Sequence, residues 1–517
     1  MVPRSRWVFV AAITSLVLSA CQPNRFVTGW VPYWGGGAGR AVIDNDDASQ
    51  LIGEVSMMWY GTNADATLNL KASASSLATT VASARAQGLP VLPTIADSQP
   101  AGVMRGILAN PATRATHVQH IVDLVMANGY DGIDLDYEVF PWGDGITKED
   151  PRITPHWVAF VHELGDELHR RGRLLSVTVP PVWTSNGAVA GYTVYAQEQI
   201  APYVDRLRLM VYDWSLTSPG PIAPISWVNS VIAYSSTRVP VSKLQLGVPA
   251  YGRHWATQKY SSETCPDGAL YRESVVMTKA APLAAAHGLT PTRHSSGELT
   301  FAWTEVVTGP RTKPITPPAY VPPSTVVTRV DRGVGGTLQP AVRLGKPSAS
   351  VSCTVQHTAY VPDGISVRQR AEAALAAGWS GIAIWALGYE TADVYTELSG
   401  VAAQRPGGSP TGSLDTPVVQ GTTLRVTGRA LHPEFDLPVG VRLTVTPAGG
   451  GAAVAQRTVT ARVTRAGMPT GVGPFHGFDE SFTLTPGTYQ VCATLVLWGG
   501  TTGPSAGCAT ATITGAI

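Results

Sequence analysis

Between Phe26 and about Ser399, apolar residues recur in two alternating spacings. Short, nearly continuous apolar runs occur at FVTGWVPYW, EVSMMWY, LPVLPTIA, YDGIDLDYE, RLLSVTVPPV, RLRLMVYD, KLQLGVPAYG and SGIAIWALG. Runs of this kind read as strands. Between them the spacing lengthens to that of a helix. Trp157, Phe160, Val161, Leu164 and Leu168 share one face of His156–Arg171, and Val118, Ile121, Val122 and Val125 share one face of Pro111–Ala127. Eight strands separated by helices predict an α/β protein, a parallel (β/α)8 TIM barrel. An open doubly wound sheet is the alternative, but no glycine-rich phosphate turn follows the first run.

The pattern breaks in three places. At the start, Arg4 and Arg6 precede an apolar run, Trp7 to Leu18, that is short for a membrane span. From Arg253 to about Ser366 lies a connection too long to lack its own structure. It holds a helix-like part at Glu273–His287, strand-like runs at LTFAWTEV and SVSCTVQHTAYV, and a Pro-, Thr- and Gly-rich stretch at residues 309–350. Residues 254–366 are therefore expected to form a small subdomain inserted before the last strand, at the rim where barrel chemistry occurs. Residues 403–412 read as a linker closing the barrel unit of 26–402. Residues 413–517 carry short alternating runs separated by Gly and Pro, which predict a β-sandwich.

A net charge of +1 offers no field for nucleic acid or an anionic membrane, so a neutral partner such as a sugar polymer is expected. Fourteen Trp and seventeen Tyr suit sugar stacking but equally suit core packing. Leu18-Ser19-Ala20-Cys21 resembles a bacterial lipoprotein cleavage site, which implies a signal peptide over 1–21, lipidation of Cys21 and export to the extracellular face. The alternative is an ordinary signal peptide and a secreted protein. Export permits disulfides. Cys265, Cys353, Cys492 and Cys508 allow three pairings, and sequence neighbourhood favours Cys265–Cys353 with Cys492–Cys508. No spacing resembles a zinc site, and no metal or cofactor is expected.

The chemistry concentrates in YDGIDLDYE. On a strand, Asp134, Asp136 and Glu138 share one face while Ile133, Leu135 and Tyr137 share the other. Carboxylates this close cannot all ionise, so at least one keeps a proton near neutral pH. Glu138, outermost at the strand's C-terminal end, is placed to act as a general acid. Calcium loops with alternating acids are turns rather than apolar-backed strands, which argues against a metal reading.

Asp131 to Glu138 matches the DGxDxDxE signature and resembles glycoside hydrolase family 18, the chitinase-like barrels. Met210-Val211-Tyr212-Asp213, Leu244 to Arg253 and Ile384-Trp385-Ala386-Leu387-Gly388 resemble that family's sixth, seventh and eighth strands. The resemblance covers about Phe26 to Ser399 and implies roles residue by residue. Glu138 would protonate the glycosidic oxygen, and the substrate's own N-acetyl carbonyl would be the nucleophile. Asp136 would bind the acetamide N–H, Asp134 would share a proton with Asp136, and the Tyr212 hydroxyl would align the acetamide. Met210 and Asp213 would line the subsite, Trp385 would floor it, and Tyr33 would contribute to its wall. The family's SxGG pattern on the third strand is replaced by Leu92-Pro93-Thr94-Ile95-Ala96-Asp97. The sandwich resembles immunoglobulin-like accessory modules of secreted bacterial proteins, through GRALHP, FHGFDESF and its Cys pair.

The expected protein is a monomeric, retaining hydrolase of β-1,4 linkages beside N-acetylglucosamine, in chitin, chitin oligomers or peptidoglycan. The alternatives are a non-catalytic glycan-binding surface lipoprotein, and a protein whose sandwich is the working part.

Overall fold

A computed structural model describes residues 25–143, 145–311, 350–403, 410–431, 439–468, 476–496 and 502–514. The expected signal peptide with Cys21, the Pro-rich stretch beyond Arg311 and most of the expected linker lie outside the described residues.

Eight parallel strands close into a barrel: β1 (Val27–Pro32), β2 (Ile52–Thr62), β3 (Thr94–Ala96), β4 (Gly132–Asp136), β5 (Leu174–Val179), β6 (Arg206–Leu209), β7 (Leu244–Pro249) and β8 (Gly381–Trp385). Closure comes from β1, which pairs with β8 on one side and β2 on the other. Helices Pro111–Ala127 and Thr154–Arg170 cover β4 with the apolar stripes read from the sequence. Tyr137 points outward between them and stacks on Phe160, ring centroids 5.7 Å apart. Gly132 has a steric reason to be glycine. A Cβ there would lie 2.2 Å from the Leu174 carbonyl oxygen, so β4 and β5 could not approach.

The barrel interior below the acids is polar. The Arg208 guanidinium reaches Glu54 (2.6 Å), Ser56 (2.6 Å) and Gln245 (3.0 Å), and forms an ion pair with Asp134 at 3.2 Å. Thr28 donates to the Glu54 and Gln245 oxygens, and the Arg208 guanidinium also lies over the Trp30 ring. Arg208 and Asp134 are fully buried, which is tolerable because each charge has an opposite partner and hydrogen bonds.

The insertion is an antiparallel sheet in the order Tyr271–Val276, Tyr251–Gln258, Ser350–Val361, Leu299–Pro310, Thr292–Arg293. Two expectations need correction. The sheet begins at Tyr251, three residues before the expected boundary, because LQLGVPAYGR divides after Pro249 into β7 and the first insertion strand. The stretch Glu273–His287 is not one helix. Its first residues belong to the strand Tyr271–Val276, registered on Tyr251–Gln258, and the helix runs only over Met277–Ala286. Val275 and Val276 are β-branched and favour the strand. Cys265 and Cys353 are bonded across this subdomain.

The C-terminal part is two antiparallel sheets enclosing their own apolar core, a β-sandwich, with Cys492 bonded to Cys508. Its first strand, Thr411–Leu414, starts inside the stretch read as linker, and the barrel's last helix reaches Ala403. Arg462 of the sandwich pairs with Asp131, at the N-terminal end of β4.

Arg208→Met leaves Asp134 buried without its cation and leaves Glu54 only the longer pair to Arg206 at 3.7 Å. It should cost about 3–5 kcal/mol of stability, read by denaturant unfolding. A loss under about 1 kcal/mol would show that the arginine does not compensate those charges.

Candidate active site

The acids of β4 are treated differently at each depth. Asp134 is deepest and saturated. It accepts hydrogen bonds from Trp30 Nε1 (3.1 Å), Thr94 Oγ1 (2.8 Å), Ser176 Oγ (2.6 Å) and Thr178 Oγ1 (3.0 Å), beside Arg208. Its bonds thus come from β1, β3 and β5 rather than from Asp136, the proton-sharing partner the family resemblance implied. Asp136 is 6% exposed, and its Oδ1 is a buried acceptor without a partner. Burial, then the charges of Glu138, Asp134 and Asp97, push its carboxyl well above the usual carboxylate range and so favour its neutral form.

Glu138 is half-buried, the first residue beyond Tyr137 and the start of the short helix Val139–Trp142. Desolvation, reinforced by the charges of Asp97 and Asp213, pushes its carboxyl up to about 8. Its neighbours are held from both sides. His117 is buried, and burial pulls its imidazole down to about 4, so it is neutral. The Ala66 carbonyl only accepts, so His117 Nδ1 carries the proton (2.7 Å) and Nε2 accepts from the Tyr137 hydroxyl (2.6 Å). Tyr195 donates its hydroxyl to the Tyr137 carbonyl at 2.8 Å. Asp97, just beyond β3, accepts from the backbone N–H groups of Val139 (2.8 Å) and Phe140.

Glu138 stands where two cavities meet. The first is lined by Asp136, Met210, Tyr212, Asp213, Trp385, Trp34 and Tyr389, with Tyr251 and Arg253 from the insertion. The second shares Glu138, Met210, Tyr212 and Asp213 and continues to Pro180, Pro181, Trp183, Tyr192, Trp214 and Trp227. Asp213 has φ +63° and accepts from the Tyr251 hydroxyl and Arg253 Nη2, both at 2.7 Å. This network fixes the backbone beside Tyr212, whose phenol burial keeps protonated. Trp34 Nε1 donates to the Tyr389 hydroxyl at 2.6 Å, tying the first barrel loop to the last. Among the described residues, no three His, Cys, Asp or Glu side chains converge as metal ligands.

Glu138, Asp136, Tyr212, Met210, Asp213 and Trp385 therefore come together around the first cavity, while Asp134 lies beneath it. Tyr33 lies outside both cavities, edge-on to Trp34, and Trp34 forms the wall instead. Sequence reasoning passed over Asp97, His117, Tyr195 and the Trp183–Trp214–Trp227 cluster. Some signals were present: a carboxylate closing a barrel strand, a histidine beside the apolar stripe of a helix, and tryptophans directly after PPV and VYD. Tyr195 had no local signal.

A model of the family described as Glycosyl hydrolases family 18 matches residues 30–390. A Bacillus subtilis protein named as a sporulation-specific glycosylase is 30% identical over 155 residues, 30% of this chain and 34% of that protein. The chain thus spans about a third of that relative's length. A chitinase from Chromobacterium violaceum superposes with a TM-score of 0.54 at 19% identity, over 74% of this chain and 100% of that one. The spore cortex-lytic enzyme SleL of Bacillus megaterium superposes with a TM-score of 0.53 at 16% identity, over 74% and 75% of the two chains. At these identities the two superpositions show a shared fold.

A carboxyl raised from 4.5 to about 8 contributes its full stability below the lower value and loses it as pH rises through the upper one. Glu138→Gln should therefore melt near wild type at about pH 5 and above it at about pH 8. Melting curves that differ by the same amount at both pH values would contradict a proton held on Glu138.

Proposed function

Because the chain belongs to glycoside hydrolase family 18, we propose that it is a retaining glycosidase that cuts β-1,4 linkages beside N-acetylglucosamine by substrate-assisted catalysis. The observation that carries this reading is Glu138, a proton-holding carboxyl at the junction of two cavities of one cleft. A glycosidic oxygen spanning that junction would lie beside the acid, with one sugar in the Trp385 cavity and the next toward Trp183 and Trp214.

In the proposed reaction Glu138 gives its proton to the glycosidic oxygen as the bond to the anomeric carbon breaks. The acetamide carbonyl oxygen of the sugar in the Trp385 cavity forms a new bond to that carbon, giving an oxazolinium ion, and the downstream chain leaves as an alcohol. No protein nucleophile is required. The unpartnered Asp136 Oδ1 suits the acetamide N–H, because a buried acceptor gains most from a donor that arrives with the substrate. The Tyr212 hydroxyl holds the acetamide carbonyl in line. The Glu138 carboxylate then takes a proton from water as that water's oxygen attacks the anomeric carbon and reopens the ring, restoring the acid and retaining configuration.

The substrate within this reading is chitin, its oligomers or the N-acetylglucosamine linkages of peptidoglycan. Chitinases and a spore cortex-lytic enzyme both stand among the structural neighbours. We also propose that the protein is a monomer, that export and anchoring proceed through Cys21, and that the sandwich is an immunoglobulin-like accessory module. Its Arg462 pairs with Asp131, at the end of β4 opposite Glu138.

Mass spectrometry of products from chitin oligomers and from purified peptidoglycan tests the proposal. Wild type should release fragments from at least one, and Glu138→Gln should lose about 100-fold or more of that activity. Tyr212→Phe should lower kcat about 10–100-fold with little change in folding. Turnover retained by Glu138→Gln would remove the acid. No product from either substrate would favour a glycan-binding protein instead.

A further inference from the structure

Asp97 is buried, 3% exposed, and the reaction above gives it no task. Its backbone N–H donates to the Asp136 carbonyl at 3.3 Å, at the Ala96↔Asp136 end of the β3–β4 pairing. Its two carboxyl oxygens then accept the N–H groups of Val139 and Phe140, the two residues after Glu138. Glu138 has no capping bond of its own at this turn, so Asp97 fixes the turn from the neighbouring strand. From this arrangement we propose that Asp97 is a positioning residue for the catalytic acid: it anchors the turn that aims Glu138 and supplies the negative charge that keeps the proton on it. The proposal rests on Glu138 being that acid.

The charges around Glu138 fit this division of labour. Asp136 faces it from β4, its carboxyl held well above the usual carboxylate range by burial. Asp213 faces it from beyond β6 and is paired with Arg253. Tyr195, Tyr212 and Tyr251 surround it as protonated phenols. Among the described residues Asp97 has N–H donors and no cation beside it. Burial raises its carboxyl to about 7, against the pull of the N–H groups, so it ionises just before Glu138 does. Over that interval a buried negative charge next to the turn opposes loss of the Glu138 proton and extends the acid's working range upward.

The test is the pH profile of kcat/KM for Asp97→Asn and, as a smaller replacement, Asp97→Ser, with folding followed by thermal melts. The alkaline limb should move about one pH unit toward acid, so the loss relative to wild type should be about fivefold greater at pH 8 than at pH 5. A limb that stays in place, with activity lost equally at every pH, would make Asp97 a structural anchor only and overturn the proposal. The same coupling is readable without turnover. The stability that Glu138→Gln gains between pH 5 and pH 8 should shrink in either Asp97 background, and an unchanged gain would overturn the proposal even if no substrate is cleaved.

Discussion

The structure is organised by the cost of placing three carboxyl groups in a column on the inner face of one buried strand. Each depth meets that cost in a different way. Asp134, fully buried, is surrounded by hydroxyl and indole donors and an arginine whose other contacts are Glu54, Ser56 and Gln245. Asp136, nearer the mouth, has no cation beside it among the described residues, and burial favours its neutral form instead. Glu138 at the mouth is also protonated, but there the proton is accessible to a ligand. The sequence of compensation from arginine to buried proton to usable proton follows from one strand crossing from barrel interior to cleft.

The rest of the site keeps the last proton in register with a substrate. Residues on either side of Glu138 are clamped: Tyr137 by His117 and Tyr195, Val139 and Phe140 by Asp97. These clamps come from β3, from the helix Pro111–Ala127 and from the loop after β5, so misplacing any one element would move the acid. The insertion takes part as well, because its first strand supplies Tyr251 and Arg253, which hold Asp213 beside Tyr212. Aromatic rings on both sides of Glu138 provide flat apolar surfaces where a pyranose ring could stack.

The barrel was legible because its strands are buried on both faces and therefore stand out as apolar runs between helices of 3.6-residue period. The acid column was legible because period two puts Asp134, Asp136 and Glu138 on one face whatever surrounds them. What surrounds them was not. Arg208 looks like one more charge in RLRLMVYD until closure of the barrel brings β6 across from β2. Asp97 and Tyr195 act on Glu138 from about 40 and 60 residues away along the chain, a separation no local spacing encodes. The insertion's first strand was hidden because its residues continue the apolar run of β7 without a break. Tyr33, expected at the wall, lies outside both cavities for a local reason. The chain leaves β1 through a short 3-10 turn at Tyr33–Gly35, so strand alternation no longer predicts which ring faces the cleft.

The central claim is that Glu138 carries a proton near neutral pH because of where the fold puts it. Carbon-13 NMR titration of the glutamate side-chain carboxyls in the full chain, with the Glu138 signal assigned by its loss in Glu138→Gln, addresses that claim directly. The Glu138 resonance should titrate at about 8, apart from those of exposed glutamates. A Glu138 resonance that titrates at about 4.5 with the exposed glutamates would contradict it.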